Sequence, residues 1–228
     1  TGTVVAADAS GNVGIGTSSP KVRLSGNVLS VNGSSSGASY QAGIELLNNG
    51  ASAGEIWANT GEMVIGAYSP GRMAFRTVNT ERMVIDSSGR VTMPYQPAFY
   101  AYDGSNSDVS SSGAVPFSAT YVNIGSCYNT STYRFTAPVA GTYVFNFWTR
   151  LKGSGSGNQD ITMAFYKNGS QLSGSYSDPA AYGSNIYLQV TMNVYLTLAV
   201  NDYVDFRLIA VTGALQASMR GFSGHLIG

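Results

Sequence analysis

The sequence predicts an all-β, turn-rich protein, and three observations carry that reading. Charged residues make up 11% of the 228, against about 25% in ordinary globular chains, while Gly (28) and Tyr (15) are abundant. Tyr143, Phe145 and Phe147 alternate with Val144 and Asn146 behind a Pro-Val-Ala-Gly turn, and period-two aromatics mark a half-buried strand. From Ile186 to Leu198, seven apolar residues alternate with Tyr, Gln, Thr or Asn, giving one continuous apolar sheet face. A hydrophobic content of 43% separates the chain from a disordered Gly/Ser-rich segment.

Length allows one to two domains with a sizeable core. The formal net charge is zero and no basic cluster occurs, so nucleic acid is not an expected partner. No run approaches the roughly 18 apolar residues of a membrane helix, so no membrane insertion is expected. The chain begins without Met or a signal-like segment and reads as a fragment or processed form. Cys127 is the one cysteine, so a disulfide within the chain is excluded. With no basic neighbour in sequence it reads as a small buried residue, not a reactive thiol.

Residues 1–94 have their own texture, short β-like runs separated by Gly and Asn. Asp8-Ala-Ser-Gly-Asn-Val13 recurs as Asp86-Ser-Ser-Gly-Arg-Val91. The Gly permits a left-handed turn residue, and the Asp and Ser side chains can bond their own backbone. Ala42–Leu47 is apolar, with Leu46 and Leu47 inside Gly43–Leu47 readable as a helical turn. Glu55–Ala58, Met63–Ile65, Met73–Phe75 and Arg82–Ile85 are runs of three or four. Runs that short bury little alone, so this part is expected to be an intertwined shaft or neck in which several chains share an apolar axis. Met93-Pro-Tyr-Gln-Pro97 stiffens the boundary, and residues 95–228 form a head. Its strands are Phe99–Tyr102, Gly141–Leu151, Ile161–Phe165, Ile186–Leu198, Val204–Ala210 and Phe222–Ile227. Val204, Phe206, Leu208 and Ala210 are expected on one core-facing side. Gly104–Gly113 is expected to be a polar loop.

Phe117, Asn123, Tyr128, Phe135, Gly141, Tyr143, Phe145 and Phe147 together resemble the signature of the complement C1q-like globular-head family. Lys167-Asn168-Gly169, Leu198–Val204 and Phe222–Ile227 resemble its later turns and closing strand, although the family often has an aromatic where His225 stands. The resemblance implies a C1q/TNF-like jelly-roll β-sandwich that assembles as a trimer, mostly used for recognition. Gly11–Pro20 and Thr80–Gly89 resemble segments of bacteriophage tail fibres, notably marine and cyanobacterial ones. That likeness implies a homotrimeric, extracellularly acting virion fibre whose tip binds a host surface glycan or outer-membrane component and whose other end joins upstream fibre or tail proteins. A secreted recognition protein with the same head is the alternative, and a polysaccharide depolymerase the third reading.

No catalytic residue is assigned. His225, the single histidine, reads as structural, at a sheet face or subunit interface. Asp202 and Asp205 are the nearest pair of head carboxylates to a glycosidase arrangement, but Asp205 alternates with Arg207 and is expected to pair with it. Asp103, Asp108, Asp160, Asp178 and Asp202 lack the spacing of a calcium loop and read as solvated turn residues, so no metal or cofactor is expected. Lys152–Asn158 is Gly-rich between two strands, not before a helix as a phosphate loop requires. The resemblance turns the strand carrying Tyr143 toward the trimer axis, which puts Trp148, Val144 and His225 at the expected interface. Receptor contact is expected at the far tip from Lys152, Ser154, Asn158, Gln159 and Asp160, joined by Asn201, Asp202 and a turn near Arg220. Tyr176, Asp178 and Tyr182 are expected to form a lateral second surface, since Tyr with Ser and Gly suits binding loops.

Overall fold

The structure, a computed structural model, describes residues 5–7, 13–15, 29–31, 42–48, 51–58, 62–68, 71–105, 107–108, 113–153, 158–177, 180–182, 187–212 and 215–228. No helix occurs among them. The chain divides into two compact units, Thr1–Met93 and Pro94–Gly228.

Among the described residues, the first unit holds three three-stranded sheets. β1 (Val5–Ala7), β2 (Val13–Ile15) and β3 (Leu29–Val31) form one, with β2 and β3 parallel. β4 (Ala42–Asn48), β5 (Ala51–Ala58) and β6 (Met63–Ala67) form an antiparallel meander. β7 (Met73–Thr77), β8 (Thr80–Ile85) and β9 (Val91–Thr92) form another. These strands pair within one chain, which the short apolar runs did not predict. Polar residues such as Glu45, Asn48, Glu55, Arg76 and Glu81 extend the runs into ladders. The expected helical turn at Leu46-Leu47 is instead strand β4, where a register shift marks a β-bulge. The Asp86 turn behaves as its composition requires. The Asp86 carboxylate accepts from the amides of Ser88 (2.8 Å) and Arg90 (3.0 Å), and Gly89 takes a positive φ of 79°. The matching turn at residues 8–12 lies outside the described residues.

The second unit is a two-sheet sandwich. One sheet has the order β12-β10-β21-β15-β19, from β10 (Ala98–Asp103), β12 (Ala119–Ile124), β15 (Gly141–Gly153), β19 (Tyr187–Leu198) and β21 (Leu215–Leu226); β11 (Ser107–Asp108) also pairs β21. The other has the order β13-β14-β20-β16-β17, from β13 (Tyr128–Asn129), β14 (Arg134–Thr136), β16 (Asn158–Lys167), β17 (Ser170–Ser177) and β20 (Tyr203–Thr212); β18 (Ala180–Tyr182) pairs β16. β11 occupies part of the segment expected to be a loop.

The signature residues each have a physical task. Phe117, Phe135, Tyr143, Phe145 and Phe147 are buried and mesh with Phe99, Phe165, Phe206 and Phe222. Phe147 stacks on Phe206 at 3.6 Å, and Phe99 meets Phe222 edge-on at 4.9 Å. Such ring contacts add to simple burial. Asn123 closes the turn before Tyr128 by donating from Nδ2 to the Tyr128 carbonyl (2.9 Å) and accepting its amide (3.0 Å). The Tyr143 hydroxyl donates to the Val139 carbonyl at 2.8 Å. Asn168 and Gly169, with φ of 51° and 82°, form the two-residue hairpin turn joining Lys167 to Ser170, a conformation in which φ is positive at both positions.

Alternation predicted the core faces of β16 and β19, and Ile161, Met163 and Phe165 are buried. It failed at Ala210, which is exposed. Thr162 pairs Ala210 while Met163 pairs Leu208. The bulge inserts Ile209 and flips the faces beyond it, so Val211 packs against the core in place of Ala210.

Candidate functional site

The sandwich has two distinguishable ends. β10 starts at the end where the Pro97 carbonyl accepts the Leu226 amide at 3.0 Å. Gly141 and Leu198 pair there. At the opposite end Lys152 pairs with both Tyr187 and Gln216, and Gly153 with Leu215. Asn158 pairs Tyr182, and Asp160 pairs both Ala180 and Thr212. Lys152, Asn158, Gln159, Asp160 and Tyr182 therefore lie on strand ends at the pole away from Pro97. Tyr182 comes beside Asn158, so the expected tip and its lateral alternative share one locality. Tyr176 sits further along the second sheet, paired with Ala164. Ser154 and Asp178 lie outside the described residues. Tyr187 was not expected at this pole. There the Arg150 guanidinium lies 3.9 Å from its ring centroid and the Lys152 ammonium 6.0 Å, an arrangement of cations over an aromatic face.

Three expected tip residues are elsewhere. Asn201 and Asp202 sit at the Pro97 end, because β19 runs antiparallel to β15 and returns its following turn to the start of β15. The Asp202 carboxylate accepts from Asn168 Nδ2 (2.7 Å) and the Ala199 amide (2.9 Å) and pairs with Lys167 (2.9 Å). The Asn168 and Lys167 bonds, with the Ala199 amide, hold it down at about 2. Asn201, at a φ of 69°, donates its amide to the Ala137 carbonyl. This is a lock between two turns. Arg220 is no turn residue but a buried member of β21, paired opposite Asp103. Its Nε donates to the Pro116 carbonyl at 2.9 Å and its Nη2 lies 3.3 Å from the Asp103 carboxylate. Asp103 in turn accepts from Ser118 at 2.9 Å, so it is no solvated loop aspartate. The turn between β20 and β21 falls instead between Thr212 and Leu215.

Asp205 pairs with Arg207 as expected, but it is fully buried, not on a solvated face. Arg207 grips both its oxygens, at 2.5 and 3.0 Å, and Arg134 adds Nε at 3.2 Å. The guanidinium of Arg207 lies over Tyr166 and that of Arg134 over Tyr203. Asp202 and Asp205 are thus each held in ion pairs. Cys127 is buried, with its thiol 3.3 Å from the Ile124 carbonyl, and burial pushes it up to about 11. Among the described residues no group of three His, Cys, Asp or Glu side chains is arranged to hold a metal ion.

The outer face of the first sheet is aromatic. Trp148 is half-buried, lying over Gly221 beside Tyr100. Exposure of the indole was expected to demand a partner subunit, yet the chain itself covers part of it. Val144 is almost fully buried between its cross-strand neighbours His225 and Tyr195. His225 is exposed on the same face. Tyr121, stacked on Tyr102 at 4.1 Å, and Tyr195 are largely exposed.

Comparison with curated proteins gives no match. Among solved structures, the chain is similar to the globular domain of zebrafish complement 1qA protein, at 21% identity and a TM-score of 0.45, covering 58% of this chain and 98% of that one. It is also similar to an Eiger TNF from S. frugiperda, at 11% identity and a TM-score of 0.44, covering 58% and 94%. Residues 98–227, more than half of the chain, match the C1q domain, and the chain belongs to that family.

Proposed function

We propose that the chain is a non-catalytic adhesion protein, a phage tail-fibre tip that acts outside the cell by binding a host-surface glycan or outer-membrane component. The observation that carries the reading is the gathering of strand ends at the pole away from Pro97, where Lys152, Asn158, Asp160, Tyr182 and Tyr187 meet. A rigid aromatic core behind a polar rim is the usual platform for recognition loops. Contact is assigned to Lys152, Ser154, Asn158, Gln159 and Asp160, with Tyr176, Asp178 and Tyr182 as a second contact surface. The family equally accommodates a secreted recognition protein outside any virion. The fibre reading is preferred on the two fibre-like segments of the N-terminal part. Assembly is as a homotrimer through the outer face of the first sheet, which exposes Tyr121, Tyr195 and Met219.

Whole-cell and glycan-array binding by the full chain tests the recognition reading. Replacing residues 154–157 together with Asn158→Ala and Gln159→Ala is expected to lower adsorption at least tenfold while the fold stays intact. Unchanged adsorption refutes the assignment of the tip.

A further inference from the structure

We infer that the outer face of the second sheet binds the carboxylate of an acidic sugar, through Arg134 and Arg207 held in place by the buried Asp205. The inference rests on the recognition reading and gives its lateral surface a ligand class and a binding group.

The placement follows from alternation along the strands. On β20, Val204, Phe206 and Leu208 belong to the core, so Tyr203, Asp205 and Arg207 take the opposite face. On β16, Met163 and Phe165 belong to the core, and Tyr166 stands on the outer face, paired with Asp205. Phe135 enters the core from β14 and leaves its neighbour Arg134 outside. Ala164 pairs Arg207 on one side and Tyr176 on the other, so the expected lateral contact lies on the same rung as Arg207. Asp205 is on this outer face, yet its side chain is 0% exposed, with those of Arg134 and Arg207 packed on it at 38% and 22%.

One carboxylate is balanced by one guanidinium. Asp205 has two, so the cluster carries an excess of one positive charge. The two arginines spend their donors differently. Arg207 lies side-on and grips both Asp205 oxygens through Nε and Nη2. Arg134 reaches Asp205 through Nε alone, at 3.2 Å, and makes no other hydrogen bond among the described residues. Its two terminal nitrogens therefore remain as a fork. The plane of that fork is set by Tyr203, whose ring centroid lies 4.2 Å away, as Tyr166 at 4.4 Å sets the plane of Arg207. A side chain already fixed loses less freedom on binding, and a guanidinium fork takes a carboxylate through two parallel hydrogen bonds. The ligand's charge follows from the excess. A carboxylate carries the one negative charge that balances it, whereas a phosphate monoester carries nearly two. The tyrosines supply amphipathic contact area at low entropy cost, which suits the ring of a sugar. The proposed homotrimer uses the outer face of the other sheet, which leaves this one to a ligand.

The test measures binding of the full chain to three polysaccharides at physiological salt: a polyuronate, the same polymer methyl-esterified, and dextran sulfate. The polyuronate is expected to bind at least tenfold more tightly than its ester. Arg134→Gln is expected to weaken polyuronate binding at least tenfold, and Arg134→Lys, which keeps the charge and loses the fork, at least fivefold. Arg90→Gln in the N-terminal unit removes the same charge elsewhere and is expected to bind as wild type. No binding of the polyuronate, equal binding of the ester, or Arg134 variants that bind as wild type overturn the inference. Tighter binding of dextran sulfate than of the polyuronate overturns the assignment to a carboxylate. The comparison of polymer with ester uses the wild-type chain, so the inference stays testable even if Arg134→Gln loosens the fold around Asp205. Adsorption to cells separates the two readings. A chain that adsorbs but ignores the polyuronate loses only this site, whereas one that binds the polyuronate through Arg134 and adsorbs to no cell keeps the site and loses the host-surface reading.

Discussion

Gly221 and Gly224 lie three residues apart in β21 and face opposite sides of the sheet, so the same substitution at each separates core packing from surface packing. A Cβ at Gly224 would stand 2.6 Å from Phe145 Cδ1 and 2.9 Å from Phe99 Cε1. Neither ring can retreat. Phe145 is fully buried and packs at 5.1 Å against Phe135, while Phe99 stacks at 4.9 Å on Tyr128. Overpacking of this kind costs about 1–3 kcal/mol, and replacing Gly by Ala returns about 0.4–1 kcal/mol through the unfolded chain. The net loss for Gly224→Ala is then about 1–2 kcal/mol, which lowers the melting temperature by roughly 3–10 °C for a unit of this size. At Gly221 the new Cβ meets the Trp148 indole and, at 2.9 Å, Tyr100 Cε2. Trp148 is half-buried and can swing outward, so Gly221→Ala in the separated chain is expected to cost under about 1 kcal/mol. Thermal unfolding followed by near-ultraviolet circular dichroism reads both. Equal shifts, or a Gly224→Ala melting temperature within about 1 °C of wild type, would refute the assignment of faces in β21.

Other expectations rest on single sites. Val78 is a β-branched residue held at a φ of 50° and 95% exposed, so Val78→Asn is expected to strengthen the β7–β8 hairpin by about 1 kcal/mol, visible as slower hydrogen exchange in Met73–Ile85. Asp202 has a folded-state value near 2, below the usual aspartate value near 4; its contribution is present above about pH 4 and lost as pH falls toward 2. Asp202→Asn should therefore destabilise the head at pH 7 and flatten its acid unfolding between those values, and an unchanged acid profile counts against the turn lock. Cys127, pushed up to about 11, is expected to ignore a thiol reagent at pH 8 until denaturant is added. Trp148→Ala is expected to weaken self-association without unfolding the head, and sedimentation identical to wild type would place the interface elsewhere.

Much of the head was legible because its chemistry is local. Aromatic alternation marked β15, apolar alternation marked β19, and Asn168-Gly169 marked a hairpin. Bulges were not legible. Nothing in Leu208-Ile209-Ala210 announces which residue loops out, since that depends on where β16 pairs. Arg220 was hidden for another reason. A charged residue beside Met219 and Gly221 resembles a turn until Asp103 is known to lie opposite it, and these two are far apart in sequence. The placement of the strand ends was half legible. The direction of β15 follows once Pro97 is placed at its start, but sending Asn201-Asp202 to the same pole contradicts antiparallel pairing of β15 and β19. The alignment of Ile44, Ile56 and Ile65 across β4, β5 and β6 needed two registers at once, and the short apolar runs around them concealed the polar residues that complete the strands.

The two poles of the head differ in what their polar residues do, and this bears on where binding can evolve. At the Pro97 end the polar groups tie elements that are distant in sequence. Asn168 bonds the Asp202 carboxylate and accepts the Tyr203 amide at 2.9 Å, and the Ala137 amide donates to the Asp202 carbonyl at 2.8 Å. Removing one such partner leaves others unsatisfied, which costs more than the bond itself contributes. Substitution there is paid in stability. At the other pole the joins between β15 and β16, between β18 and β19, and between β20 and β21 all return between strands already fixed by long registers and a buried aromatic core. A surface that must follow a variable partner belongs at that pole, and exchanging residues 154–157 for an unrelated four-residue sequence should leave the melting temperature of the head within about 2 °C. A larger fall would mean that this segment supports the fold, and the division of labour between the poles would fail.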